Sequence, residues 1–263
     1  MDYGLRGTVA VVMAASRGLG RASAQLLAAE GCDLAISSRS LGSITRAAEE
    51  IRASTQRAVL PCAVDVRRPE DITAFAQAVQ ARYGRVDILV NNGGGPPPGS
   101  FDALDDTSFI AACELLLLNT VRTTKAFLPL LRQSLQGRII TLTSTSTREV
   151  VANLMLSNSL RAAVAGWSKT LARELAPTGI TVNCIAPGTI GTERIEELIA
   201  ANAAKSAVSH EEATAQLRAR IPMGRFGTPE EFAAGVAFLA SRGASFISGI
   251  NLVVDGAATL QVQ

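Results

Sequence analysis

Apolar residues fall in two alternating rhythms along the chain. Short runs rich in β-branched side chains, at residues 8–13, 33–38, 57–64, 86–90, 138–143, 180–185 and 250–254, are apolar almost throughout and read as strands buried on both faces. Between them, residues 21–30, 43–53, 69–84, 106–133, 154–175 and 229–240 carry apolar side chains at helical spacing. Punctuation fits these limits. Pro69, Glu70 and Asp71 open one helix as first-turn and dipole preferences favour, and Gly84 closes it. The glycine- and proline-rich stretch 91–99 can extend neither rhythm, so it forms a loop at the carboxyl end of strand 86–90. Residues 190–220 break the alternation: two helical pieces rich in Ala and Glu flank a polar break at 206–210. That segment reads as a lid over a site or as a surface insertion packed on the sheet.

Six or seven strand–helix alternations predict an α/β fold, a Rossmann-like doubly wound parallel sheet in a single domain over residues 1–263, with the insertion at about 190–220. A chain of 263 residues with 48% hydrophobic side chains needs neither disulfide nor metal to hold its core. The formal net charge is +2 with the two signs interspersed, which predicts no nucleic-acid stripe and no polybasic membrane patch. Cys32, Cys62, Cys113 and Cys184 are widely separated, show no C-x-x-C spacing and do not cluster with His210, the one histidine, so they are expected to be reduced core thiols. Asp2 and Tyr3 follow Met1 in place of a basic leader, and no apolar run approaches 18 residues; the expectation is a cytoplasmic protein without a transmembrane helix.

The first strand stops at a small-residue turn, residues 14–20, that leads straight into a helix. In such a unit glycines let the backbone approach a diphosphate, which then sits against the unpaired amides and positive dipole end of the helix. Ala14, Ser16, Arg17, Gly18, Leu19 and Gly20 are therefore candidate cofactor-binding residues. The second strand ends in Ser38 and Arg39, about twenty residues further on, where an acid would favour NAD by holding the ribose 2′-hydroxyl. A hydroxyl and a guanidinium stand there instead, with Arg17 as a second cation, and point to NADP(H).

Further motifs recur in order: Asp65-Val66, Asn91-Asn-Gly-Gly94, Asn119, residues 137–144, Pro187-Gly188 with Thr192, and the closing segments 221–231 and 253–256. With the glycine turn, these make the chain resemble the short-chain dehydrogenases/reductases over nearly its whole length, nearest in flavour to the 3-oxoacyl-[acyl-carrier-protein] reductases. Alanine at position 14 replaces the first glycine of that family's turn. The resemblance implies that Asp65 accepts from the adenine amino group with Val66 beside the ring. It also implies that Asn91 and Gly93 line the cofactor and support the sheet, and that Pro187, Gly188, Thr189, Ile190 and Thr192 approach the nicotinamide. The residues alone leave Asp65 open as a strand-end cap and Asn91 as a turn former. A homo-oligomer, tetramer or dimer, is implied through the two long helices after the fourth and fifth strands and through the last strand.

One departure governs the chemistry. The family's Tyr-x-x-x-Lys pair falls thirteen residues after the serine that Ser144 matches, and those positions hold Ser157 and Arg161. Residues 165–175 keep the register, and Lys169 is out of phase. A tyrosine, with an ordinary pKa of about 10, passes a proton to the substrate oxygen; serine is a far weaker and shorter acid, and a guanidinium keeps charge without giving up its proton. The expected enzyme reduces the carbonyl of a small molecule, of 3-oxoacyl type or a related ketone and thioesters included. Ser144 and Ser157 hold the oxygen, Arg161 stabilises its charge, and a water near Asn119 delivers the proton. A non-redox enzyme of elimination or isomerisation and an NADP(H)-sensing binding protein are the alternatives. Arg148, Asn153, Asn158 and His210 are further polar candidates, each also readable as an exposed surface residue.

Overall fold

In the computed structural model, which describes residues 2–261, the seven apolar runs pair into one sheet. Its strands are β1 (Val9–Val12), β2 (Asp33–Ser38), β3 (Val59–Ala63), β4 (Ile88–Asn91), β5 (Arg138–Leu142), β6 (Thr181–Pro187) and β7 (Asn251–Val254). They lie in the order β3-β2-β1-β4-β5-β6-β7, every pairing parallel, with Val12 opposite both Ile36 and Val90. The chain order turns back between β1 and β4, which opens a crevice at the carboxyl ends of those strands.

Helices α1 (Gly18–Ala29), α2 (Leu41–Thr55) and α9 (Pro229–Ala240) cover one face; α3 (Pro69–Tyr83), α5 (Asn119–Leu131) and α6 (Met155–Leu175) cover the other. Alternate residues of a strand serve opposite cores. Ala10 and Val12 of β1 join Leu27, Ile36, Ile44, Phe232 and Leu239, whereas Val11 and Met13 join Phe75, Val79, Phe127, Leu131 and Leu175. This double burial is the reason the strands read as unbroken apolar runs. Phe75 and Phe127 lock α3 to α5 edge to face, with ring centroids 5.5 Å apart.

Two elements differ from the sequence reading. Helix α1 begins at Gly18 instead of residue 21, so the glycines form its first turn. The span 106–133 is α4 (Asp106–Cys113), a π-helical segment Glu114–Leu118, and α5. The extra residue in the π turn is a local widening of the kind found at functional sites. The 190–220 segment folds as α7 (Glu193–Ser206) and α8 (His210–Arg218), joined through Ala207 in the left-handed region, with Ser209 and Glu212 forming a capping box at the start of α8. Among the described residues no helix is long and apolar enough to cross a membrane.

Close approach explains the glycine turn. A Cβ on Gly20 would lie 2.4 Å from the Ala14 carbonyl oxygen and 2.9 Å from Nδ2 of Asn92, so only glycine lets α1 come so near the end of β1. Ala14 itself sits at φ +50°. The left-handed region costs a residue with a Cβ about 1–2 kcal/mol. The expected outcome of Ala14→Gly is therefore a gain of about 1 kcal/mol, read as a rise of roughly 2–4 °C in the melting temperature; an unchanged or lower midpoint would show that Ala14 carries no such strain.

Candidate active site

The turn between β1 and α1 presents a helix start without a side-chain cap and without an acid in its first turn. Its amides and the positive end of the helix dipole are thus free for an anion, the arrangement a diphosphate fits. Ser16 is half-buried in this turn, and Leu19 packs against the core beneath it. Asn92 Nδ2 donates to the Ala14 carbonyl at 3.4 Å and ties the turn to the loop after β4. Arg17 is exposed and meets Glu197 of α7 at 3.4 Å, a pair weak enough in water to yield to a phosphate.

At the end of β2 the buried Ser38 hydroxyl donates to the Ser40 carbonyl at 3.0 Å, and Arg39 is exposed beside it. Asp65 is already engaged. Arg67 donates to its Oδ1 through the backbone amide and Nε, both at 3.0 Å, and to Oδ2 through Nη2 at 2.6 Å. The Arg67 hydrogen bond is the main cause that holds the Asp65 carboxyl at about 2. It stays ionised, with acceptor capacity left over for a further donor. Val66 beside it is buried.

After β4 the loop lies directly on the π-helical segment. A Cβ on Gly93 would meet Asn119 Nδ2 at 2.6 Å and the Leu115 carbonyl at 2.7 Å. Buried Asn119 donates to Leu115 O at 3.2 Å and accepts from the Thr123 hydroxyl at 3.1 Å. Asn91, also buried, donates to Thr124 at 3.0 Å and Thr141 at 3.4 Å, while its Oδ1 has no partner. It braces β4 against β5 and α5. Between Asn91, Asn119, Thr120 and Arg161 lies a cavity of about 10 Å³, the size of a single water centre.

Ser144 follows β5 and caps the short turn Thr145–Thr147, its Oγ accepting from the Ser146 amide at 3.1 Å. The Ser144 hydroxyl proton is left to donate elsewhere. Ser157 does not join it: the buried Ser157 Oγ lies 3.3 Å from Ser146 Oγ. The contact with Ser146 gives Ser157 a partner on the same short turn that Ser144 caps.

Arg161, one turn further along α6, clamps two strand ends together. Its Nη1 donates to Leu142 O at 3.0 Å and Thr143 O at 2.9 Å, and its Nη2 to Gly94 O at 2.9 Å. Burial, and after it the charge of Arg194, lowers the guanidinium to about 10, so it remains a fixed cation at neutral pH. Ser146, and the carbonyl of Gly94 as a partner of Arg161, escaped the sequence reading. Ser146 lies in the Thr-Ser-Thr-Ser run 143–146 where it could have been noticed, whereas a backbone carbonyl such as that of Gly94 leaves no signal.

Beyond β6, whose last residue is Pro187, a Cβ on Gly188 would sit 2.5 Å from Cβ of Asp255. Thr189 O accepts from the Gly227 amide at 3.1 Å, and Ile190 is buried beside Gly227. The Thr192 methyl lies 3.9 Å from where a Gly18 Cβ would be, so the start of α7 stands over the glycine turn. The remaining polar candidates are spent elsewhere. Arg148 reaches Asn251 O at 3.4 Å, beside a separate cavity of about 490 Å³ that Lys169 also lines. Asn153, at φ +61°, accepts through its carbonyl from Gly99, Asn158 bonds both backbone groups of Val151, and His210 of α8 lies 3.4 Å from Glu196 of α7.

A family model described as enoyl-(acyl carrier protein) reductase matches residues 13–259. The chain is 35% identical to the NADPH-dependent reductase BacG of Bacillus subtilis over 94% of its own length and 96% of that protein's. It is 36% identical to the 3-oxoacyl-[acyl-carrier-protein] reductase FabG of Vibrio cholerae, over 96% and 97% of the two chains. Among solved structures, L-sorbose reductase from Gluconobacter frateurii in complex with NADPH and L-sorbose superposes with a TM-score of 0.95 at 31% identity, covering 100% of both chains. With the parallel sheet and the open glycine turn, these matches place the chain in the short-chain dehydrogenase/reductase family.

Proposed function

We propose that this protein is an NADP(H)-dependent reductase that adds hydride to the carbonyl of a small molecule, ketones of 3-oxoacyl type and thioesters included. The observation that carries the reading is the Ser144 hydroxyl, held by the Ser146 amide at 3.1 Å with its own proton free, at the strand end that Arg161 clamps. Relatives that carry NADPH or a carbonyl substrate in their names support it. The open first turn of α1 receives the diphosphate, and Arg17, Ser38 and Arg39 face the ribose 2′-phosphate. When bound, NADPH supplies the hydride.

The chain's own part is to hold the carbonyl and to manage charge and proton. Ser144 donates to the carbonyl oxygen. Arg161, fixed by three backbone carbonyls, provides a positive field that needs no rearrangement as negative charge grows on that oxygen. The proton comes from solvent through the water-sized cavity between Asn119 and Arg161. Without an ionisable acid, turnover is slower by the factor that general-acid assistance ordinarily gives, about 10²–10⁴. The protein acts in the cytoplasm as a homo-oligomer, tetramer or dimer.

The test is NADPH consumption against a panel of 3-oxoacyl thioesters, diketones and sugar ketones, with nucleotide binding measured in the same samples. Tight binding without consumption across the panel would favour the sensing alternative. Ser144→Ala is expected to lower kcat at least about tenfold and to leave the NADPH Kd within about twofold, the loss of one hydrogen bond to a charged oxygen. Arg39→Asp is expected to weaken NADPH more than NADH; equal losses would remove Arg39 from the 2′-phosphate site. The pH profile of kcat/KM is expected to be flat from about pH 6 to 9, since serine and asparagine do not titrate there, and to fall as the pH rises past about 10, where Arg161 loses its charge. A limb near neutrality would reveal an acid that this site does not contain.

A further inference from the structure

Two guanidiniums from separate elements converge on the loop after β4. Arg161 rises from α6 to Gly94 O at 2.9 Å, and Arg194, in the first turn of α7, reaches Pro96 O at 3.4 Å from the other side. The Arg194 guanidinium carbon lies 3.3 Å from where a Cβ on Gly95 would stand. Among the described residues no carboxylate pairs with either arginine. The acids at the start of α7 are turned elsewhere: Glu193 toward Gly18, Glu196 to His210 and Glu197 to Arg17.

Like charges held together without a counter-ion repel, and the charge of Arg194 is felt at Arg161. An anion between them relieves that repulsion. On its Arg161 side the place adjoins the strand end that carries Ser144, because Arg161 binds the carbonyl of Thr143, the residue before it. Three of the Arg161 N–H groups are committed to backbone oxygens, whereas the exposed Arg194 makes only the long contact to Pro96, so its planar fork is available for two parallel bonds to a carboxylate.

We propose that Arg194 is the anion anchor of the substrate site, and that the compounds reduced here carry a carboxylate within a few bonds of the reacting carbonyl, as 2-oxo and 4-oxo acids do. The proposal rests on the reductase reading and names its substrate class.

The experiment compares NADPH consumption with a 2-oxo acid, a 4-oxo acid and the methyl ester of each, for the unaltered protein and Arg194→Gln, with the NADPH Kd measured by fluorescence. The acids are expected to exceed their esters in kcat/KM by about tenfold or more. Arg194→Gln is expected to cut the acid-to-ester ratio by about 10- to 100-fold through KM, with Arg194→Lys recovering part of it and the NADPH Kd within about twofold. Esters reduced as well as acids overturn the anchor and leave the reductase reading standing. A Kd that rises in Arg194→Gln while the acid-to-ester ratio holds also overturns it, since the arginine then serves the cofactor. NADPH bound but consumed with no acid, ester or neutral ketone overturns both readings.

Discussion

A parallel strand can follow its neighbour only after the chain has crossed back over the sheet. Seven strands joined in this way bring their carboxyl ends to one edge, and that constraint assembles the site. The glycine turn after β1, Ser38 at the end of β2, the loop after β4, Ser144 after β5 and Pro187 at the end of β6 are distant in sequence and neighbours along this edge. The crossovers cover both faces, which isolates the sheet from water and leaves its edge as the place where polar groups gather. The reversal of order between β1 and β4 then decides where along the edge a long ligand lies.

Within that frame the Arg161 position joins structure to chemistry. Its guanidinium satisfies the ends of β5 and the loop after β4 at once, a reach that a planar fork achieves with little loss of freedom. The charge is therefore immobile. In the reductase proposed above, the guanidinium contributes fixed positive charge at neutral pH and no proton. Its part in that proposal is electrostatic, a component that is often the larger share of catalysis.

The fold was legible because double burial writes itself as continuous apolar runs, and the glycine turn because close backbone approach excludes a Cβ. The start of α1 was not, since glycine disfavours a helix by local propensity and tertiary packing overrides it at Gly18 and Gly20. Residues 115–118, four leucines, carry the same apolar pattern in an α or a π turn; the approach of Gly93 is what the wider turn accommodates. Sequence position names Ser144, Asn119 and Arg161 as candidates, and the fold sets them about the ends of β4 and β5. The partner of Ser157 was not legible, because the inward turn of Ser146 is set by the cap at Ser144. Arg194 reads in sequence as one more surface charge on an Ala- and Glu-rich helix, and only the crossing of α7 over the loop gives it a setting.

The helices α7 and α8 hold a small core of their own. Ile199, Ala203 and Ala213 are buried there with Ile195, Val208, Leu217 and Phe226 around them, and none of these residues belongs to the two main cores. The two helices are thus held to each other by a core of their own, a unit of packing distinct from the two faces of the sheet. Substitutions in this small core are therefore expected to act on the α7–α8 pair before they act on the sheet.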